Sequence, residues 1–362
     1  MQENLYSNDC GIRDDSLGIK YCVFAGAGVL GVSYAGVCKA LMEYNLQNEI
    51  KYWVGSSAGS IAATFIACGI DCYKLEKMLR NTKLNKLLDI GGVSEQKNFL
   101  DKMLWGTSSV ELITKYGLAR GNSMVSWLEE MLTEFGLKKD LTFSELYNKT
   151  GNHLIITGSC VNTSKSIYFS RSSTPNLKIV EAIRVSISMP LIYQPVNITV
   201  DDTKLILIDG GYLDHYPLRI TDVETDDLIA YNRNAIGVLP VTNGELTFQN
   251  DKIDNFIHYV DSLLNSLHTK LLIENSKKPY FWERTIPIEV YNWSSKDFNI
   301  SEEKKTILIN NGYNATKKYL EQRVKMIKKN GGLPKNIFIS DELISDNNLE
   351  FTKIYDTNPN WL

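Results

Sequence analysis

The sequence predicts an α/β protein with a mainly parallel central sheet. Near the start of the chain, two strand–turn–helix units follow each other. In the first, the apolar residues 20–25 predict a buried strand that a glycine-rich turn joins to a helix over 32–45. In the second, a strand over 50–54 leads through another glycine-framed turn into a helix of small residues over 60–68. This alternation is typical of parallel strands covered by helices.

The rest of the chain favours the same class of fold. Residues 71–140 are predicted to be mostly helical, with breaks at 91–94 and 106–109. Beyond them, apolar runs bounded by turn residues alternate with amphipathic segments. We predict strands at 153–160, 166–170, 204–208, 227–231 and 235–240, and helices at 177–187, 252–274 and 301–329.

The composition argues against several classes of protein. With 43% hydrophobic residues, the 362-residue chain can bury a sizeable core, and its net charge of −3 argues against a chain-wide nucleic-acid-binding surface. The apolar stretch 21–37 contains four glycines and follows a polar leader, so it indicates a buried strand and turn rather than a signal peptide or membrane span. The six cysteines form no CxxC pair and fit a reducing compartment. We therefore expect a soluble, cytoplasmic protein.

The second turn, Gly55-Ser56-Ser57-Ala58-Gly59, contains a G-x-S-x-G motif between a predicted strand and a predicted helix. A nucleophilic serine in this setting lies on a sharp, strained turn, and small flanking residues let the strand and helix close around it. The N-terminus of the following helix directs N–H groups and a positive dipole end toward the reacting centre. The motif predicts Ser57 as a nucleophile, with Gly55 and Gly59 supporting the turn. A purely structural turn is the alternative.

The first turn, Gly26-Ala27-Gly28-Val29-Leu30-Gly31, allows two interpretations. Its glycines match a dinucleotide-binding fingerprint, which also requires an acidic residue at the end of the second strand. That strand instead ends at Val54, directly before the serine turn, so we disfavour nucleotide binding. The same loop suits an oxyanion hole, because free backbone N–H groups beside a nucleophile stabilise the charge of a tetrahedral intermediate.

A nucleophilic serine needs a base, and Asp209 is the leading candidate. It follows the apolar strand predicted at 204–208 and precedes Gly210 and Gly211, so its carboxylate can reach a neighbouring turn. Apolar surroundings would raise its pKa and make it a better base. A turn-capping aspartate is an equal alternative on spacing alone. His215 keeps a Ser-His-Asp triad open, whereas three other histidines are expected to be structural: His153, His258 and His268.

The three motifs occur in the order typical of the patatin-like phospholipase family, which the chain resembles over about residues 20–325. Segments between and after the motifs add to the resemblance. They are Leu141-Thr142-Phe143-Ser144-Glu145-Leu146, the stretch from Ala182 to Pro190, Tyr193-Gln194-Pro195, Tyr216-Pro217, and Asp297-Phe298-Asn299-Ile300-Ser301.

The resemblance implies a three-layer α/β/α hydrolase in which Ser57 and Asp209 form a catalytic dyad. It implies hydrolysis of fatty-acyl esters, as by a phospholipase A or lysophospholipase, through an acyl-enzyme on Ser57. The substrate would be a phospholipid or another acyl lipid, and we expect transient contact with a membrane surface. The resemblance implies no metal or other cofactor.

The organisation of the sequence predicts a flexible N-terminal arm over 1–18, a catalytic domain of the patatin-like type over 19–330 and a C-terminal tail over 331–362. The resemblance also assigns supporting residues. The oxyanion hole would be formed at Gly26, Ala27, Gly28 and Val29, with Gly31, Gly55, Gly59, Gly210 and Gly211 supporting the motifs.

Two departures from the family pattern bear on the substrate. Leu30 stands where the family usually carries Arg or Lys, a cation that would favour a lipid phosphate, so neutral acylglycerols stay open. Asp214 and His215 stand where family members often have asparagines. A catalytically silent lipid-binding protein is a further alternative.

Four other features have a functional and a structural interpretation, and we favour the structural one for each. Arg184 either contacts a lipid phosphate or packs within the fold, with Glu181 as a possible ion-pair partner. The basic amphipathic segment 317–329 either lies on an anionic membrane or docks on the core. The acidic residues either bind a cation or form a solvated loop; they are Asp222, Glu224, Asp226 and Asp227. Cys68 and Cys72 are either metal ligands or core residues.

Overall fold

A computed structural model describes residues 16–89, 114–200, 202–224, 229–246, 253, 256–278 and 280–332. Some sequence predictions fall on other residues and lie outside this part of the chain. They are most of the N-terminal arm, the breaks at 91–94 and 106–109, Asp226 and Asp227, and most of the C-terminal tail.

The described residues form twelve strands, eight of which build one central sheet. Most of these strands coincide with apolar runs that are rich in β-branched residues, and such residues fit a pleated and buried surface. The strands are β1 (Tyr21–Phe24), β2 (Tyr52–Gly55), β3 (Gly117–Ala119), β4 (His153–Cys160), β5 (Lys165–Ser170), β6 (Leu191–Tyr193), β7 (Val196–Val200), β8 (Thr203–Asp209), β9 (Val223–Glu224), β10 (Ile229–Ala230), β11 (Ala235–Val241) and β12 (Thr285–Glu289).

The helices predicted at 32–45, 60–68, 177–187, 252–274 and 301–329 begin and end close to those positions, whereas the helix at Phe143–Thr150 was not predicted. Asp71 caps one N-terminus and Thr142 forms a capping box with Glu145 at another, which fixes where these helices start. The α-helices are α1 (Tyr34–Glu43), α2 (Leu46–Glu49), α3 (Ala58–Ala67), α4 (Cys72–Asn81), α5 (Asn122–Glu134), α6 (Phe143–Thr150), α7 (Ile179–Ser186), α8 (Gly211–Asp214), α9 (Phe256–Ser276) and α10 (Glu302–Asn330), with 3₁₀ turns at Gly28–Ser33, Leu84–Leu87, Pro217–Thr221 and Trp282–Arg284.

The central sheet runs in the order β12-β11-β1-β2-β4-β8-β7, and β5 also pairs with β4. The pairs from β12 through to β4 are parallel, whereas β5, β7 and β8 join their neighbours antiparallel. The prediction of a mainly parallel sheet is therefore confirmed, with an antiparallel part that the sequence did not announce. The predicted strand near 229 is not a core strand, because β10 pairs with β9 in a separate two-stranded sheet.

Apolar residues face both sides of the sheet, which makes the fold three-layered. In β1, Cys22 and Phe24 pack into a core shared with α1, α3 and α10. Tyr21 and Val23 face the other way, into a smaller core that includes Leu272 of α9. This alternation follows from the two-residue period of a strand. Among the described helices, none is long and apolar enough to cross a membrane.

Helices α1 and α10 approach each other closely at Gly36. A Cβ atom on Gly36 would lie 1.9 Å from the carbonyl oxygen of Ile309, which is backbone and has little room to move. We therefore expect Gly36→Ala to lower the free energy of unfolding by about 2–3 kcal/mol, measured by urea denaturation. Gly136→Ala is the matched control: its φ is +74°, but its Cβ would meet nothing within 4 Å, so a loss of only about 1 kcal/mol is expected. Equal losses in the two variants would contradict the packing argument.

Candidate active site

Ser57 lies in the sharp turn between β2 and α3. Its backbone has φ 51° and ψ −125°, a region that residues other than glycine rarely adopt. The turn closes tightly, since a Cβ atom on Gly55 would lie 2.3 Å from the carbonyl oxygen of Gly59. The side chain of Ser57 is nearly buried, with 7% exposed. The strand β2, the strained Ser57 and the helix α3 thus follow each other in the order that predicted a nucleophile turn.

Asp209 ends β8 and contacts Ser57 directly. The hydroxyl of Ser57 donates a hydrogen bond to Oδ2 of Asp209 at 2.6 Å, and the N–H of Gly211 donates to Oδ1 at 2.7 Å. Burial raises the pKa of the Asp209 carboxyl to about 7, although both hydrogen bonds act to lower it. A carboxyl with a pKa of about 7 is about half ionised at neutral pH, and its ionised form can accept a proton from the serine hydroxyl.

The register of three strands explains why these residues meet. Gly55 of β2 pairs with Ile156 of β4 in a parallel ladder. Ser57 and Gly158 each lie two residues further along, and Gly158 pairs with Asp209 of the antiparallel strand β8. The Asp209 carboxylate therefore lies level with the serine turn, although β8 runs antiparallel to β2 and β4.

A segment at the end of α7 holds both residues, and the sequence analysis did not assign it a role. The N–H of Ser57 donates to Oγ of Ser186 at 2.9 Å. The N–H of Asp209 donates to the carbonyl oxygen of Ser188 at 3.0 Å. Ser186 and Ser188 are fully buried, which fits a positioning role rather than contact with a ligand.

The glycine loop offers fewer free N–H groups than the sequence suggested. The N–H of Gly26 donates to the carbonyl oxygen of His215, and that of Val29 donates to the carbonyl oxygen of Ser295, both at 2.9 Å. Within the described part of the chain, the N–H groups of Ala27, Gly28 and Ala58 have no acceptor. Ala27, Gly28 and Ala58 also lie against the cavities that Ser57 lines. Of the four residues predicted to form an oxyanion hole, Ala27 and Gly28 thus keep an N–H group without an acceptor among the described residues, and Ala58 at the start of α3 provides a further one.

Gly28 requires glycine both for its backbone conformation and for the space around it. Its φ is +53°, and a Cβ atom would lie 2.1 Å from the carbonyl oxygen of Ser295. The loop before α10 therefore packs directly on the glycine turn and fixes the direction of its N–H groups.

Two cavities meet at Ser57. The first has a volume of about 130 Å³ and mixed walls, which include Leu30, Trp293 and Lys296. The second has a volume of about 90 Å³, and its walls are mostly apolar. They share Gly28, Ser57 and Met189; the second is lined further by Ile61, Leu79, Leu84, Leu87, Met124, Trp127, Ile187, Tyr193 and Phe298.

Two histidines line the first cavity, one of which was expected to be structural. The rings of His215 and His268 make an edge contact, with 4.1 Å between centroids. Burial lowers the pKa of His215 well below its usual range, and burial together with the charge of Lys296 lowers that of His268 to about 4. Because Ser57 bonds to Asp209 without an intervening group, His215 does not occupy the middle position of a triad.

Lys296 is a cation of the cavity wall that the sequence analysis missed. Its ammonium group contacts both carboxylate oxygens of Asp261, a buried residue of α9. The pair therefore brings little net charge to the cavity. No local motif marks this lysine, because it reaches the site through a loop far along the chain.

Three of the features that allowed both a functional and a structural interpretation pack or pair within the fold. Arg184 is buried and donates to Oγ of Ser188 and to the carbonyl oxygens of Arg120 and Gln194, so it packs within the fold, whereas Glu181 pairs with Lys178. Asp222 receives two hydrogen bonds from the guanidinium of Arg284, which compensates its charge. The apolar stripe of the basic segment faces the core, since Leu320 and Ile327 of α10 are buried.

Comparison with known proteins identifies the family. A family model described as patatin-like phospholipase matches residues 22–222, which is more than half of the chain. The matched range contains the glycine loop, the serine turn and the Asp209 turn. The chain therefore belongs to the patatin-like phospholipase family, a family of lipid hydrolases.

Individual proteins resemble this chain to different extents. A probable lipid hydrolase of Invertebrate iridescent virus 6 is 26% identical over 56% of this chain and 62% of the viral protein. A triacylglycerol lipase of Saccharomyces cerevisiae is 30% identical over 70% of this chain but only 28% of the lipase. The crystal structure of VipD from Legionella pneumophila matches 85% of this chain and 68% of VipD, with a TM-score of 0.53 and 17% identity, and so supports the fold.

Proposed function

We propose that the chain hydrolyses acyl esters of lipids, with Ser57 as nucleophile and Asp209 as general base, in a catalytic domain spanning residues 19–330. One observation carries this proposal. The Ser57 hydroxyl donates to the Asp209 carboxylate at 2.6 Å, at the point where two cavities meet. Membership of a lipid hydrolase family gives the class of substrate.

In the proposed reaction, Asp209 removes the hydroxyl proton as Ser57 Oγ attacks the ester carbonyl carbon. The tetrahedral intermediate collapses when the bond to the leaving alcohol breaks, and the protonated Asp209 returns its proton to that alcohol. An acyl-enzyme remains on Ser57. Water then attacks the acyl carbonyl, Asp209 takes the proton of that water, and the fatty acid leaves when the proton returns to Ser57.

The oxyanion of each intermediate is expected to lie against the N–H groups of Ala27, Gly28 and Ala58. These N–H groups have no acceptor among the described residues, so they can donate hydrogen bonds to the oxyanion without rearrangement. The N-terminus of α3, which begins at Ala58, adds a positive dipole end.

The two cavities divide the substrate. The second cavity, with walls such as Ile61 and Trp127, suits an acyl chain because its lining is mostly apolar. The first cavity, with Lys296 and Trp293, then takes the alcohol part of the ester. This arrangement also favours peripheral binding of the protein to a lipid surface, from which one lipid molecule at a time enters the site.

The alcohol part defines two candidates. The family favours a phospholipase A or lysophospholipase. A neutral acylglycerol lipase is the second candidate, because Leu30 lines the cavity where a loop cation would stand and Asp261 compensates the charge of Lys296. The similarity to a triacylglycerol lipase agrees with this candidate.

A lipid panel tests the function and separates the candidates. Purified protein is incubated with phosphatidylcholine, lysophosphatidylcholine, diacylglycerol and triacylglycerol, and released fatty acid is quantified by mass spectrometry. Release that requires Ser57 supports the proposal, and its distribution between phosphate-headed and neutral lipids selects the candidate. No release from any lipid, together with no labelling of Ser57 by a fluorophosphonate probe, would favour a catalytically silent lipid-binding protein.

The pH dependence follows from the base. Asp209 must be ionised to accept the proton, and its pKa is raised to about 7, so kcat/KM for a soluble p-nitrophenyl ester should fall about tenfold per pH unit below 7 and level off above it. Initial rates between pH 5 and 9 measure this profile. A rate already constant at pH 5.5 would contradict Asp209 as the base.

A further inference from the structure

Helix α9 has two different faces. The inner face carries Asn265, His268 and Leu272, which line the first cavity at Ser57. The outer face is defined by four residues at intervals of four: Tyr259, Leu263, Leu267 and Leu271. Because each interval advances about 40° around a helix, these four side chains form one continuous stripe opposite the cavity.

The outer face of α9 is apolar and open to solvent. Its four large side chains are 47–59% exposed. On α10, by contrast, the comparable apolar side chains of Leu320 and Ile327 are buried against the core. An exposed stripe of this length on one helix indicates a surface that binds another apolar phase.

We propose that the outer face of α9 docks on the surface of a zwitterionic lipid bilayer. The proposal rests on the proposed function and deepens it by assigning the face through which substrate reaches Ser57. A helix is only about 10 Å thick, so a bilayer on the outer face lies one helix diameter from the cavity on the inner face. Leu213 of α8, in the turn after Asp209, is also exposed and carries another apolar side chain beside the Asp209 turn.

The charges around the outer face favour insertion of apolar groups over attraction to anionic lipid. Ser262 and Ser266 lie beside the stripe and carry no charge. Lys270 and Glu274 also lie on the outer face, where Glu274 pairs with Lys270 at 2.7 Å and with Lys277 at 2.9 Å, so these three residues together leave a single positive charge. Binding should therefore depend on burial of the leucines and only weakly on salt.

The test compares binding to phosphatidylcholine vesicles by flotation. The Ser57→Ala protein serves as parent, so that vesicles are not degraded during the measurement. We expect the parent to bind equally at 0.1 and about 0.5 M salt, and the added pair Leu263→Ser and Leu267→Ser to weaken partitioning roughly tenfold. Tyr259→Ser should weaken it less, because one side chain is removed.

Tyr73→Ser is the matched control for Tyr259→Ser. Tyr73 is 48% exposed but lies on α4, which packs on the opposite face of the sheet, so its replacement should leave partitioning unchanged. Equal partitioning of the parent and the double leucine variant would overturn the proposal. So would light-scattering masses showing that the parent is a dimer and the leucine variant a monomer while both bind vesicles equally, since the face would then join two copies of the chain.

Hydrolysis of a soluble ester by the wild-type protein keeps the two proposals apart. If the wild type cleaves no ester and yet the leucine substitutions abolish vesicle binding, the function fails and the docking surface stands. If the wild type cleaves soluble and vesicle-borne esters, and the leucine substitutions do not change the ratio of the two rates, the docking surface fails and the function stands.

Discussion

Replacing Ser57 with alanine is expected to lower lipid ester hydrolysis by a factor on the order of 10⁴ to 10⁶. Without Oγ there is no nucleophile for the acyl-enzyme, and the cavity and backbone N–H groups alone give little rate enhancement. The fold should persist, because alanine removes one hydroxyl and keeps the Cβ that already tolerates φ of 51°. Fatty-acid release by mass spectrometry measures the loss, and circular dichroism checks the fold.

Ser56→Ala is the control for this experiment. Ser56 is fully buried next to the proposed nucleophile, and its hydroxyl has no hydrogen-bond partner among the described residues. Its removal should keep activity within a few-fold of the wild type, and a fluorophosphonate probe should still label the protein. Retained hydrolysis in the Ser57 variant would refute the nucleophile assignment, and a loss restricted to the Ser56 variant would move it one residue along the chain.

Replacing Asp209 with asparagine should lower hydrolysis by a factor on the order of 10⁴, because an amide cannot take the proton of Ser57. The same change should stabilise the fold. Unfolded Asp209 ionises near pH 3.8, whereas the folded carboxyl ionises near 7. Between these values the folded chain keeps a proton that the unfolded chain has lost, so this group lowers the free energy of unfolding as pH rises through that window.

Asparagine removes this effect. At pH 8 the variant should unfold with a free energy roughly 2–4 kcal/mol higher than the wild type, and the gap should close as the pH falls toward 4. Urea denaturation at both pH values measures it. If the variant is inactive and also less stable than the wild type at pH 8, Asp209 has a structural role. The buried charge is then not retained at a cost in stability for the sake of catalysis.

Asp214→Asn is the matched control for a buried carboxyl. Burial raises the pKa of Asp214 to about 6, and the hydroxyl of Tyr168 donates to it at 2.8 Å. Asp214 does not line the cavities described at Ser57. This variant should therefore share the direction of the stability change while hydrolysis stays near the wild-type rate.

The two residues of the proposed dyad could be picked out from the sequence because each sits in a pattern that is short and local. Strand, glycine-framed serine and helix occur within about fifteen residues, and Asp209 follows an apolar strand directly. The structure brings the two side chains to 2.6 Å, a distance that local patterns do not contain. This distance depends on pairing between residues far apart in the sequence, such as Gly55 with Ile156 and Gly158 with Asp209.

The direction of strand pairing could not be predicted. The continuous apolar run at 205–208 predicted a strand, but such a run fits a parallel and an antiparallel ladder equally well, so the antiparallel direction of β8 was not recognised. The strands β6, β7 and β12 were not predicted. Strand β6 has only three residues and the edge strand β12 contains Pro287, whereas the alternating apolar and polar residues of Val196–Val200 were a signal that was overlooked.

Some residues of the site carry no signal in the sequence. Lys296 and Trp293 belong to an irregular loop, and they line the cavity because the carbonyl oxygen of Ser295 packs on Gly28. Ser186 looks like an ordinary helix residue until its hydroxyl is seen to accept the N–H of Ser57. The roles of such residues can be recognised only from their tertiary contacts.

The short stretch from Ser186 to Ser188 bonds to the backbone of Ser57 on one side and of Asp209 on the other. One piece of chain therefore sets the separation of the two reacting groups. Helix α9, which forms the outer wall of the first cavity, is joined to the rest of the site through the ion pair of Asp261 with Lys296. A tilt of that wall to admit a bulky lipid would change the buried contact of Asp261 with Lys296 and the ring contact of His268 with His215. The hydrogen bonds that the backbone of Ser57 and Asp209 donates to the Ser186–Ser188 stretch, by contrast, do not involve this wall.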